Sequence, residues 1–154
     1  MMKFEPYIYI VAFIVLGAGV MSEGARAAAL QRKAGITPKT LYRELAKGSA
    51  KLQIIDVRPD PEENFEDTHV PRAVPFPGCD MQQTPDEAKG SIEMIVPTII
   101  VSQDGDEETF ERCSAFFTSA RNLRGGLEAW VDADLPEDTG EYEAPTPGAG
   151  GGCL

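Results

Sequence analysis

Residues 52–77, LQIIDVRPDPEENFEDTHVPRAVPFP, join two apolar runs through a long acidic segment. The first run, at 51–57, is compact, apolar and bounded by polar residues, which indicates a buried strand. The acidic segment contains three prolines and favours a loop with at most one helical turn. The second run, at 73–77, predicts another short extended segment.

A second buried strand is predicted at 97–102, PTIIVS, because the run is β-branched and uncharged. A helix is predicted from about 106 to 119, since acids in its first turn complement the positive end of the helix dipole. Its apolar face is formed by Phe110, Cys113, Phe116 and Phe117. Strand, loop and helix therefore follow one another between 97 and 119.

Two more helical segments complete the pattern. The first is capped by Thr37, with Pro38 in the first helical position and Gly48 at its exit. The second follows a short strand and a glycine turn within 122–136, NLRGGLEAWVDADLP. This alternation predicts an α/β domain at 35–138, with a small, mostly parallel sheet flanked by helices.

Two separated stretches together resemble the rhodanese homology domain. The stretch at 52–77 has a strand ending in D-V-R, an acidic E-x-F, then H-V-P and a proline-rich segment. The stretch at 123–136, LRGGLEAWVDADLP, has L-x-G-G-x-x-A-W and a leucine–proline pair. Order and spacing also fit, over 35–138. The resemblance implies a rhodanese-like fold and sulfur transfer, in which a cysteine at the end of the central strand carries a persulfide within a short loop.

The resemblance places Ser102 in that cysteine position and Gly105 in the glycine position of the loop. A serine cannot form a persulfide, so we expect no sulfur transfer here. Acids stand where the family commonly has basic or hydroxyl residues, and they would repel an anionic sulfur donor. The site-like loop comprises Ser102, Gln103, Asp104, Gly105, Asp106 and Glu107, with Glu108 as a further acid. The acids lack the distal bidentate Glu of an EF-hand, so we predict neither metal nor cofactor.

Six further residues have structural roles if the resemblance holds: Asp56, Arg58, His69, Gly125, Gly126 and Trp130. It implies that Asp56 holds neighbouring backbone and that Arg58 pairs with an acid such as Glu63. A hydrolase using Ser102 would need a positioned base. His69 is the one histidine of the sequence, and nothing places it beside that serine.

The three cysteines lie in different surroundings. Cys113, on an apolar helix face, is expected to be a buried and inert thiol. Cys79, in FPGCDM, is expected to be accessible. Cys153, in PGAGGGCL, resembles the swinging-arm cysteine of sulfur-carrier proteins. An odd number of cysteines does not suggest a disulfide framework, although Cys79 and Cys153 could pair in an oxidising compartment.

The two ends of the chain differ from the middle. Residues 1–27 combine an uncharged apolar run with a small-residue A-x-A pattern, which indicates a signal peptide. An N-terminal membrane anchor stays open as the alternative. Either form exports the domain, which favours the periplasm. Residues 139–154 form an acidic, Gly- and Pro-rich segment that we expect to be a flexible tail.

The net charge of −11 argues against binding nucleic acid or an anionic membrane surface. We therefore expect an exported rhodanese-like domain without sulfurtransferase activity, acting as a binding or regulatory module for a protein with a basic surface. The alternative is a sulfur-handling transferase or carrier with its persulfide on Cys153 or Cys79. A third hypothesis is a membrane-anchored component of a respiratory or sulfur-oxidising assembly.

Overall fold

The computed structural model describes residues 35–48 and 51–145. The helices are α1 Pro38–Lys47, α2 Pro61–Asn64, α3 Asp86–Lys89, α4 Glu107–Ser114 and α5 Gly126–Asp132. The strands are β1 Gln53–Asp56, β2 Ala73–Pro75, β3 Thr98–Val101 and β4 Ala120–Asn122, and a short 3-10 helix spans Pro77–Cys79. The predicted export segment at 1–27 lies outside the described residues. Within them, no helix is long and apolar enough to cross a bilayer.

The strands form one sheet in the order β2-β1-β3-β4, and every neighbouring pair is parallel. Ile54 lies opposite Ile99, and Asp56 lies opposite Val101. The predicted α/β fold with a small parallel sheet is confirmed. Because parallel strands point the same way, the loops after all four strands meet at one edge of the sheet.

Both faces of the sheet are buried. Ile54 packs with α1 and α5 on one face, whereas Ile55 packs with α4 on the other. Successive side chains of a strand point to opposite faces, so the central positions of a strand covered on both sides are apolar on either face, as at Ile54 and Ile55. This explains why β1 and β3 appear in the sequence as continuous apolar runs.

Helix α1 begins and ends where its sequence predicts. The Thr37 side chain accepts a hydrogen bond from the Thr40 amide at 3.4 Å. Gly48 has a left-handed backbone with φ of 60° and donates its amide to the Leu45 carbonyl. Glycine suits this exit because a left-handed residue with a Cβ is strained.

Helix α4 is shorter than predicted and ends at Ser114 rather than near 119. Three of the four residues assigned to its apolar face are buried: Phe110, Cys113 and Phe117. The fourth, Phe116, is 45% exposed and contacts Phe76 edge to face. Phe116 lies beyond the helix, so helical spacing no longer determines which way its side chain points.

The segment after α5 packs on the domain further than expected. Residues 139–142 lie in the predicted flexible tail, yet the Gly140 amide donates to the Glu66 carbonyl at 2.7 Å. Tyr142 packs against both core clusters and meets Phe65 edge to face. The predicted domain boundary at 138 is therefore too early, because Tyr142 buries apolar surface despite its polar neighbours.

Candidate functional site

The loop at 102–106 connects β3 to α4 at the carboxyl edge of the sheet. Ser102 is its first residue and is buried. The Ser102 hydroxyl accepts a hydrogen bond from the Gly105 amide at 3.0 Å. The side chain at the end of β3 is thus turned inward, toward the backbone amides of the turn that follows.

Acidic side chains of this loop accept hydrogen bonds from two more backbone amides, one in the loop and one in α4. Asp104 accepts a hydrogen bond from the Asp106 amide at 3.1 Å. Asp106 caps α4 by accepting from the Thr109 amide at 2.7 Å. A helix start with converging amides can bind an anion. Here the amides of Gly105, Asp106 and Thr109 already have oxygen acceptors within the loop itself.

The glycine pair before α5 lets the loop approach backbone to backbone. The Leu127 and Glu128 amides donate to the carbonyls of Ser102 and Gln103 at 2.9 and 3.0 Å. A Cβ on Gly126 would meet the Ser102 carbonyl oxygen and lie 2.5 Å from the Gln103 carbonyl carbon. The loop after β3 and the glycine turn before α5 therefore form one site.

Asn122 also positions the loop, although no sequence pattern singles it out. Its side-chain amide donates to the Gly105 carbonyl at 2.8 Å. The Oδ1 atom is buried and has no hydrogen-bond partner in the part of the chain that the structure describes. No motif signals this residue, since its role depends on β4 lying beside β3.

A cavity of about 290 Å³ opens beside the loop, and Gln103 is part of its wall. Three carboxylates line it, from Asp67, Glu128 and Asp132. Among the described residues, the one cationic side chain in the wall is Arg58, which is paired with a buried carboxylate. The cavity is therefore suited to a cation better than to an anion.

Arg58 and Asp56 form a buried ion pair. Arg58 Nη2 lies 2.7 Å from Asp56 Oδ2, and both side chains are at most 4% exposed. Arg58 also donates to the Thr68 carbonyl at 2.7 Å, and its own amide donates to Asp56 at 3.0 Å. The prediction that Arg58 pairs with Glu63 is therefore wrong. Asp56 is buried, and a buried carboxylate without a cation costs more free energy than the exposed carboxylate of Glu63 does.

Replacing Arg58 by methionine should lower the free energy of unfolding by about 3–5 kcal/mol, because Asp56 would be left as an unpaired buried charge. Urea denaturation measures this loss. The matched control is Arg121→Met, which removes a two-bond pair with Glu44 that is 43% and 35% exposed. That change should cost at most about 1 kcal/mol. Equal losses of unfolding free energy in the two variants would contradict the larger contribution assigned to the buried pair.

His69 and Trp130 are both held by backbone carbonyls. His69 Nδ1 lies 2.7 Å from the Phe65 carbonyl oxygen, and its ring stacks on the Phe65 ring at 3.8 Å. Trp130 donates its indole N–H to the Pro136 carbonyl at 2.8 Å. No group of three or more His, Cys, Asp or Glu side chains in the described ranges is arranged to hold a metal.

Comparison with known proteins matches the rhodanese-like domain family to residues 37–133, well over half of the chain. The chain belongs to the rhodanese-like family. No curated protein sequence matches it. Among solved structures, a full-length protein from Lactobacillus plantarum is 20% identical with a TM-score of 0.58, over 77% of this chain and 98% of that one.

Two further structures show the same fold. The rhodanese-like domain of a protein from Anabaena sp. is 19% identical with a TM-score of 0.55, over 73% of this chain and 92% of that one. A thiosulfate sulfurtransferase from Pseudomonas aeruginosa is 22% identical with a TM-score of 0.53, over 69% of this chain and 19% of that one. The rhodanese-like domain therefore shares its fold with a sulfurtransferase, and the predicted fold is confirmed.

The cysteines of this rhodanese-like domain differ from expectation. Cys79 and Cys113 form a disulfide with Cα atoms 5.5 Å apart. Cys79 is 5% exposed, so it is neither accessible nor a partner for Cys153. Cys113 is buried as predicted, but it is not a free thiol. The pair was missed because 34 residues separate the two positions in sequence. Cys153 lies outside the described residues.

Proposed function

We propose that this chain is an exported rhodanese-like protein that performs no sulfur transfer at its loop and acts as a binding or regulatory module. The observation that carries the proposal is the hydrogen bond from the Gly105 amide to the Ser102 hydroxyl. An inward-facing side chain at the end of β3 is where the resemblance puts the persulfide. In this chain that side chain is a serine, so its terminal atom is an oxygen rather than a sulfur.

The chemistry of serine supports this proposal. Sulfur transfer needs a thiolate that attacks a sulfane sulfur and keeps it, and a hydroxyl at neutral pH does neither. His69 is bonded to the Phe65 carbonyl and stacked on the Phe65 ring, as befits a structural residue rather than a base.

Electrostatics supports the same proposal. Asp104, Glu107 and Glu108 are exposed at the loop, and three carboxylates line the adjoining cavity. Repulsion disfavours an anionic donor such as thiosulfate, although salt screens part of it. The same charges favour a partner with a basic surface, which is the class of partner we propose.

Export is supported by two features. Residues 1–27 have the composition of a signal peptide or membrane anchor. The disulfide is the second feature, since disulfides persist mainly outside the reducing cytosol. We therefore propose a periplasmic location, with anchoring at the membrane as the alternative.

Thiosulfate:cyanide turnover by the mature protein tests the absence of sulfur transfer. We expect no thiocyanate above the rate without protein, and no change on replacing Ser102 by alanine. Turnover that disappears in the Ser102→Ala variant alone would overturn the proposal. Unchanged turnover in that variant would assign the activity to another residue.

A decalysine peptide tests the proposed preference for a basic partner. We expect binding that weakens as salt increases, and that is at least about tenfold weaker in the Asp104→Asn, Glu107→Gln, Glu108→Gln triple variant. The matched control removes three exposed acids elsewhere, Glu62, Glu63 and Glu87, as glutamines. Equal weakening by both triple variants would show attraction to net charge rather than to the loop.

The alternative function places a persulfide on Cys153. The disulfide occupies the other two of the three cysteines, so Cys79 is no longer a candidate. Incubation with inorganic polysulfide should then add one sulfur atom to the intact protein, and Cys153→Ser should abolish the addition. An unchanged mass with polysulfide and with thiosulfate would remove this alternative.

A further inference from the structure

The disulfide joins two parts of the chain at the same face of the sheet. Cys79 ends the 3-10 helix after β2, and Cys113 lies in the last turn of α4. Both are buried in one cluster with Ile55 and Ile100. Their Cα separation of 5.5 Å lies at the usual value for a disulfide, so the bond forms without moving the backbone.

The backbone at Cys79 is held in an uncommon conformation. Gly78 and Cys79 have φ values of 59° and 62°, so two successive residues are left-handed. Glycine adopts this conformation freely, but a residue with a Cβ does so at a cost in free energy. The Cys79 amide donates to the Phe76 carbonyl at 3.0 Å, and its side chain is fixed by the disulfide.

Helix α4 depends on contacts at both of its ends. It has eight residues, too few to be stable in isolation. At its start, Asp106 caps it and connects it to the acidic loop at 102–106. At its end, Cys113 is bonded covalently to the segment after β2. The acidic loop and the disulfide are therefore attached to opposite ends of the same short helix, α4.

We propose that the Cys79–Cys113 disulfide keeps α4 and the acidic loop ordered, so that this side of the domain depends on an oxidising compartment. Bond formation removes two electrons and two protons from the thiols. A thiol–disulfide exchange protein accepts them as its own disulfide becomes a dithiol. This inference does not rest on the proposed binding function.

The test uses the full chain with Cys153→Ser, so that only the two paired cysteines remain. Dithiothreitol, itself oxidised to a cyclic disulfide, should convert the pair to two thiols and raise the intact mass by two hydrogen atoms. The midpoint of thermal unfolding should fall by about 10–15 °C, as expected for opening a loop of this length. Hydrogen exchange should accelerate at 102–117 and stay unchanged in α1.

Alanine variants separate the covalent bond from side-chain packing. Cys79→Ala, Cys113→Ala and the double variant should lose a similar amount of stability, and none should respond to dithiothreitol. Additive losses, or a parent protein whose melting ignores reduction, would overturn the proposal. So would two alkylatable thiols in protein purified without reductant. Reduction of the parent keeps the test decisive if a variant does not fold.

Discussion

A cysteine in place of Ser102 is expected to accept a sulfur atom from thiosulfate. The Gly105 amide already points at the side chain of residue 102 at 3.0 Å, and a thiolate there would accept the same hydrogen bond. The thiolate attacks the sulfane sulfur, the S–S bond breaks and sulfite leaves with the electron pair. Cyanide then removes the bound sulfur as thiocyanate and restores the thiolate.

Turnover of the Ser102→Cys variant should be at least about a hundredfold above that of the serine parent. This gain is much smaller than the roughly millionfold loss of rate when a serine protease loses its nucleophile. The experiment uses a Cys153→Ser background, so that an added sulfur atom is assigned to residue 102. Intact mass after thiosulfate and thiocyanate release after cyanide are the two readouts. If the thiol of the Ser102→Cys variant can be alkylated but takes up no sulfur, the serine is not the only obstacle to sulfur transfer.

Adding Asp104→Ala to this variant should raise turnover by about a further tenfold. The change frees the Asp106 amide and removes one carboxylate, and a hydrogen bond to a charged group is worth about 1.5–3 kcal/mol. Glu62→Ala removes the same charge away from the loop and should leave turnover unchanged. An equal increase from both changes would assign the effect to net charge.

Replacing Gly126 by alanine should lower the free energy of unfolding by about 3–5 kcal/mol, a loss seen only with specific structural faults. A Cβ there would lie 2.5 Å from the carbonyl carbon and oxygen of Gln103, and φ is +58°. The atoms that this Cβ would meet belong to the backbone, which cannot move aside as a flexible side chain can. The loop at 102–106 and the start of α5 would have to separate.

The matched control is Gly48→Ala, where φ is +60° and nothing lies within 4 Å of the new Cβ. That variant carries the conformational strain alone and should lose about 1–2 kcal/mol. Urea denaturation of both variants gives the difference that close backbone approach accounts for. Similar losses at the two positions would show that strain, not the approach of the loop, requires glycine at 126.

Local patterns sufficed for the two central strands and for the ends of α1. Apolar runs predicted β1 and β3, because strands buried on both faces have apolar residues at consecutive positions. Thr37 and Gly48 predicted both ends of α1, since a cap is a local hydrogen-bonding arrangement. Ser102 was selected because the resemblance to the rhodanese homology domain places it in the cysteine position, and the glycine pair was predicted as a turn.

Other contacts could not be read from local patterns. Asn122 contacts the loop because β4 lies beside β3. Tyr142 packs on Phe65 from a segment whose composition favours disorder. In each case the partner is supplied by the tertiary arrangement.

The sequence by itself determined the alternating α/β elements, the parallel sheet and the oxygen at the end of β3, since each follows from residue type and local spacing. Only the tertiary structure decided that the backbone of this loop contacts the glycine turn before α5. It also decided the pairing of Cys79 with Cys113. The physical reason is that hydrogen bonds and covalent bonds between distant segments depend on which faces the folded sheet brings within a few ångströms.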